Sequence, residues 1–159
     1  MPSEFLKRQS HDLIRDISSL GSLPFYILIL VFFEEVMDSN MFFRLLIGVL
    51  IIYAVVVVIR NIYFKNRPVK FSHHNFIEKL DAAAFPSLHA ARTGLLSLSL
   101  INYFDNIILS IVILLLALGI LYSRIYLKRH DAKDVIGGAV LGVLVYFAVY
   151  SFYNSSFFP

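Results

Sequence analysis

Seventeen consecutive residues, Ile107 to Ser123, carry no charged side chain. A bilayer core of ~30 Å is crossed by about twenty apolar residues as a helix, and only structures that satisfy their own backbone can cross it. Four more segments approach this length: Ile17 to Phe33, which is short and contains Pro24; Met41 to Ile59; Pro86 to Phe104; and Asp134 to Tyr153. Of the 159 residues, 58% are hydrophobic, more than a soluble domain of this size carries. The expected fold is all-α: a polytopic membrane helical bundle of about five transmembrane helices in one domain. Arg44, near one end of the second span, is expected to snorkel to the interface.

Residues 2–20 place Phe5, Leu6, Leu13, Ile14, Ile17 and Leu20 on one helical face, with Lys7, Arg8, Asp12, Arg15 and Asp16 mostly elsewhere. That pattern predicts an N-terminal amphipathic helix lying at the interface and leading into the first span. No signal peptide is expected, because the first apolar run follows a mixed-charge segment and precedes no small-residue cleavage site. The absence of cysteine excludes disulfides and thiol catalysis. A net charge of +3 is too small and too localised for nucleic acid, and suits anionic lipid head groups.

The connections alternate in charge. Residues 34–40 hold Glu34, Glu35 and Asp38, and residues 104–106 hold Asp105. Residues 60–85 hold Arg60, Lys65, Arg67, Lys70 and Lys79, and residues 124–133 hold Arg124, Lys128, Arg129 and Lys133. The positive-inside rule then places the N-terminus and both basic loops in the cytoplasm. A phosphate site is basic whichever way it faces, but six basic residues remain in these loops after Arg60, Arg67 and Arg124 are set aside.

Three polar clusters fall at span ends on one side of the membrane. In "RNIYFKNRP", Arg60 and Arg67 share a face two turns apart if the second span stays helical. Taken alone they also read as a basic anchor flanking a span. In "FPSLHAAR", Pro86 suits the first position of a helix. The Ser87 and Leu88 amides would then be free to bind an anion, with His89 beside it. The alternative is an interfacial histidine without chemistry. In "LYSRIYLKRHDAKDVIGG", Ser123 and Arg124 end a span, and His130 and Asp134 are four apart. On one helical face the carboxylate can hold one ring nitrogen and leave the other free to attack, the arrangement of a histidine nucleophile. Gly137 and Gly138 allow close helix packing. Lys128, Arg129, Asp131 and Lys133 are read as facing head groups. Any one cluster has a bland explanation; all three on one face make a functional site the better reading. With no carboxylate cluster, a divalent-metal phosphatase is not expected. His73 and His74 read as loop or head-group residues.

These residues resemble the type 2 phosphatidic acid phosphatase superfamily, the lipid phosphate phosphatases, which shares its site with the vanadium haloperoxidases. The family pattern is Lys, six residues, Arg-Pro; then Pro-Ser-any-His; then Ser-Arg, five residues, His, three residues, Asp. Here it reads Arg60 with Arg67-Pro68, Pro86-Ser87-Leu88-His89, and Ser123-Arg124 with His130 and Asp134. Arg60 departs from the usual lysine, and five spans from the six of many members. The resemblance implies that His130 attacks phosphorus to form a phosphohistidine, that Asp134 orients it, and that His89 serves as acid and then base. It implies phosphate binding by Arg60, Arg67, Arg124, Ser87, Ser123 and nearby amides including Leu88, with no metal or other cofactor. The implied substrate is a membrane lipid phosphate or diphosphate: a prenyl phosphate or diphosphate, a phosphatidate or a phosphatidylglycerol phosphate. A lipid phosphotransferase with the same chemistry and a non-enzymatic carrier of the same fold are the alternatives. A haloperoxidase is not expected of a membrane-embedded chain. The short first span and the amphipathic N-terminus point to lateral lipid entry near that helix.

Overall fold

The computed structural model describes residues 2–36, 38–69 and 75–154. His73, His74 and Lys70 lie outside them. Seven helices follow in order: α1 Pro2–Ser19, α2 Leu23–Glu35, α3 Ser39–Ile62, α4 Phe76–Ala82, α5 Leu88–Phe104, α6 Ile107–Tyr126 and α7 Ala132–Asn154. Most begin where a polar side chain can take up a free amide. Asp38 Oδ1 accepts from Met41 N at 2.9 Å, Asn75 Oδ1 from Glu78 N at 2.8 Å, and Asn106 Oδ1 from Ile108 N at 3.0 Å.

Helices α3, α6 and α7 are long and apolar enough to cross a membrane. The first expected span is not one continuous helix. The chain breaks at residues 20–22, Ser22 caps α2 with Pro24 in its first turn, and α1 and α2 meet at a bend of 48°. The bent pair forms a fourth span if the two halves are counted together. Helix α5, with 17 residues, packs against α3, α6 and α7. Five is therefore an approximate number for a bundle whose helical character stands. The sequence pattern gives no sign of the short helix α4, which lies inside the first basic connection.

The arrangement suits an apolar solvent. Tyr26, Phe33, Leu45, Ile52 and Leu95 form a core among α2, α3 and α5, where the Tyr26 hydroxyl donates to Leu45 O at 2.9 Å. Ile107, Leu115, Leu118, Ile136 and Leu144 face outward, while Arg60, Arg92, His130 and Asp134 are buried. Large outward apolar side chains, with charged groups held inside the bundle, are what lipid permits and water does not. The amphipathic α1 packs along α6 and exposes Phe5, Leu6 and Leu13. At the end of the bundle away from the polar clusters, the Arg44 guanidinium lies over the rings of Tyr150 and Tyr153 at 5.4 and 5.5 Å.

The closest seam joins α5 to α7. A Cβ placed on Gly138 would meet the carbonyl of Ser87 and the Ala90 Cβ, and one on Gly142 would meet the carbonyl of Ala91. These two glycines, four apart, let the backbones touch as small residues do in membrane helix pairs. The seam sets the start of α5 against the start of α7, where two of the three polar clusters sit.

Candidate active site

The third cluster is built on a turn leaving α6. The carbonyl of Arg124 accepts from the amides of Arg129 at 3.1 Å and His130 at 3.2 Å, and Lys128 takes a left-handed conformation with φ 54°. The turn delivers His130, 4% exposed, to the mouth of α7. His130 precedes α7 rather than lying on it, so it does not stack on Asp134 along a helical face. Its Nδ1 stands 3.8 Å from Asp134 Oδ2, close but without a hydrogen bond, and is buried. The Asp134 carboxylate is held elsewhere: Oδ1 takes the Lys65 ammonium at 2.6 Å and Oδ2 the Asp131 amide at 3.1 Å. Lys65 also reaches Asp131 Oδ2 at 3.1 Å. Burial works against the Lys65 charge, but its hydrogen bonds to Asp134 and Asp131 and their negative charges outweigh that and raise its pKa. Burial, followed by the charges of Arg67 and Arg124, lowers the His130 pKa to about 4, with Asp134 opposing and Arg60 adding to the fall. The ring is therefore neutral at physiological pH.

In the first cluster, α3 ends at Ile62, so Arg60 and Arg67 do not share a helical face. Beyond Tyr63 the chain runs extended. Ala84 N donates to Lys65 O at 2.7 Å, and Asn66 and Ala83 form an antiparallel bridge. Arg60 donates to the carbonyls of Leu80 at 2.7 Å and Pro86 at 3.0 Å. Its planar fork thus braces the turn that enters α5, a use that a lysine's point charge would not duplicate.

In the second cluster, Pro86 is not the first residue of the helix. Ser87 is the N-cap, its Oγ accepting from Ala90 N at 3.5 Å, and α5 begins at Leu88. The Ser87 amide, expected to be free, donates to the backbone carbonyl of Asp134 at 3.0 Å. That bond joins the second cluster to the third directly. Ser123, fully buried, donates its hydroxyl to Ile120 O at 2.6 Å, within its own helix.

His89 and Arg124 line an open cleft of about 300 Å³ with Arg15, Ser18 and Arg129. Arg124 Nη1 donates to Ser18 Oγ at 2.8 Å. Three guanidinium groups and a histidine around one cleft make a surface suited to an anion. A second cavity of about 120 Å³ with apolar walls lies behind it, between α2, α5 and α6, and reaches Gly21 and Arg92. Among the described residues, no three His, Asp or Glu side chains gather as metal ligands.

Five residues at this end of the bundle, Lys65, Arg92, Arg129, Asp131 and Ser18, stand outside the sequence motifs. The sequence places Arg129 and Asp131 against head groups, but Arg129 lines the cleft and Asp131 pairs with Lys65. Arg92 carried a signal. It is an arginine inside an apolar span, three residues from His89 and so on the same helical face. Lys65 and Arg67 carried a weaker one, since residues two apart in an extended segment point the same way.

The family model described as the PAP2 superfamily matches residues 41–158. The undecaprenyl-diphosphatase BcrC of Bacillus subtilis (strain 168) is 32% identical over 92 residues, which are 57% of this chain and 47% of that protein. The lipid A 4'-phosphatase of Bacteroides thetaiotaomicron is 43% identical over 58 residues, 36% of this chain and 26% of that protein. The chain thus spans less than half the length of these curated relatives. Among solved structures, Aquifex aeolicus LpxE superposes with a TM-score of 0.75 at 18% identity, covering 90% of this chain and 86% of that one. A PAP2 type phosphatidylglycerolphosphate phosphatase from Bacillus subtilis gives a TM-score of 0.63 at 21% identity, covering 92% and 78%. At these identities the structural likeness shows the fold.

Proposed function

The chain belongs to the PAP2 superfamily, and on that premise we propose that it is a membrane phosphatase hydrolysing a lipid phosphate or diphosphate through a phosphohistidine at His130. The observation that carries this reading is the meeting of His89, Arg124 and the His130–Asp134–Lys65 group at one end of the bundle. The relatives are named for undecaprenyl diphosphate and lipid A, which share a phosphorylated head and long hydrocarbon chains. The 120 Å³ apolar cavity beside Arg92 and Gly21 offers the near end of such a chain a dry wall next to the anion cleft.

The chemistry follows from which nitrogen is free. His130 Nδ1 faces Asp134, so Nε2 attacks phosphorus. The N–P bond forms as the bond to the leaving oxygen breaks, and His89 gives that oxygen a proton. Asp134 answers the charge that appears on the His130 ring. Water then attacks phosphorus, loses a proton to His89 and releases inorganic phosphate as the N–P bond breaks. Arg67 and Arg124 bear on His130 and stabilise the oxygens around phosphorus as their charge redistributes. Ser87 and Ser123 hold backbone in place, and the Leu88 amide at the start of α5 faces the same end of the bundle as the phosphate.

The test is phosphate release by the purified protein in detergent, with chelator present, over prenyl monophosphate, prenyl diphosphate, phosphatidate, phosphatidylglycerol phosphate and lipid A. Release from at least one is expected. Activity that chelator stops and a divalent ion restores overturns the metal-free mechanism. Consumption of substrate only when a hydroxyl acceptor is supplied makes the protein a transferase.

We place the site on the cytoplasmic face. Lys65 and Arg129 belong to the site, so four of the six basic residues carry that placement: Lys70, Lys79, Lys128 and Lys133. With no native cysteine, Lys133→Cys reports directly. An impermeant maleimide should label it only after cells are permeabilised, and labelling of intact cells reverses the orientation.

A further inference from the structure

One turn into α5 from His89, Arg92 is 4% exposed. A guanidinium at that depth in a span is costly unless its donors are matched. Here they are. Nη1 donates to the Tyr53 hydroxyl at 2.7 Å, and Nη2 and Nε donate to the carbonyl of Gly21 at 3.0 and 3.4 Å. The Tyr53 ring also lies 5.9 Å beneath the guanidinium. Nη2 comes within 3.4 Å of His89 Nδ1, and the Thr93 hydroxyl donates to His89 O at 2.8 Å.

We propose that Arg92 is a positioning residue that holds His89 as the tautomer protonated at Nε2. The inference rests on the acid and base role proposed above for His89. An arginine N–H can only donate and does not give up its proton. The nitrogen facing it must therefore present a lone pair, since an N–H at Nδ1 would point at another N–H. The neutral ring then carries its proton on Nε2. That is the proton the leaving oxygen receives, the Arg92 guanidinium at Nδ1 facing the negative charge this leaves on the ring, and the same nitrogen takes a proton from water in the second step, which restores the neutral ring. Histidine tautomers are set in this way by the partner of the other nitrogen. Tyr53 from α3 and Gly21 from the α1–α2 bend fix the guanidinium, so the ring is oriented by elements on both sides of α5.

Two measurements separate this from a merely structural arginine. The first compares an alkyl phosphate with p-nitrophenyl phosphate, whose leaving group departs without a proton. Arg92→Met should lower kcat on the alkyl phosphate by about 10- to 100-fold, part of what a general acid supplies, and kcat on p-nitrophenyl phosphate by about 3-fold or less. Tyr53→Phe, which keeps the ring and the packing, should show a smaller loss with the same dependence on leaving group, and Arg92→Lys should recover part of it. Equal losses on both substrates, or no loss, overturn the inference. The second is ring-nitrogen NMR of histidine-labelled protein, with His89 identified by the signals missing in His89→Gln. Wild type should show a bare Nδ1 and a protonated Nε2, and Arg92→Met a mixture of tautomers. A proton on Nδ1 in wild type, or no change in Arg92→Met, overturns the inference whatever the kinetics. A wild type that releases phosphate from none of the lipid panel removes the phosphatase reading, while the NMR result still decides the tautomer.

Discussion

His130→Ala should reduce phosphate release by at least about 10⁴-fold, as removal of a nucleophile does in enzymes where one side chain forms the covalent intermediate. His130 is 4% exposed, so no water stands ready to replace its ring nitrogen, and no other described histidine sits beside Asp134. The same reasoning fixes a pH dependence. Protonation removes the attacking lone pair. Burial and the arginines bring the His130 pKa down to about 4, so the ring is neutral above that pH and charged below it. The limb of kcat/KM that titrates His130 should therefore lie near pH 4 rather than near the ordinary histidine value of about 6.5. Wild-type turnover by His130→Ala would end the phosphohistidine mechanism. An acid limb near 6.5 that disappears in that variant's residual activity would show that the free ring is not held neutral.

Gly138→Ala should lower stability by about 3 kcal/mol, the upper part of the range for forcing atoms into a packed interior. The added Cβ has no side chain to push aside. It meets the backbone carbonyl of Ser87 and lies 2.9 Å from the Ala90 Cβ. In an open helix the same change gains up to about 1 kcal/mol from propensity, so the sign separates collision from intrinsic preference. Turnover should fall by about 100-fold, because the displaced carbonyl belongs to the residue whose amide joins the two histidine clusters, and a shift of ~1 Å costs about that much. Thermal unfolding in detergent and phosphate release measure both effects. An unchanged or raised Tm with full activity would mean that α5 and α7 are not held this close.

Much of this was legible from local pattern. The spans were visible because lipid demands long apolar runs, and the residues of the three polar clusters could be named because motif spacing is local. The pattern failed wherever a partner was distant. Lys65 finds Asp134 across 69 positions, Arg92 finds Gly21 across 71, and Arg124 finds Ser18 across 106. No periodicity encodes such pairs. Two local readings also yielded to the fold. An uninterrupted α3 would have put Arg60 and Arg67 on one face, but the chain leaves the helix at Tyr63 and returns as an extended segment against Ala83 and Ala84. Pro86 suited a first helical position, but Ser87 is the better cap, and its amide is drawn to the Asp134 carbonyl instead.

The family match begins at residue 41, while two acceptors that hold the arginines of the site, Ser18 Oγ and the carbonyl of Gly21, lie upstream of it. The stretch that matches the family and the stretch that holds these arginines therefore have different borders. The matched segment holds every motif residue but leans on a brace outside it, and a chimera or a shortened chain cut at residue 41 would keep the motifs and lose the groups that aim two of their neighbouring cations.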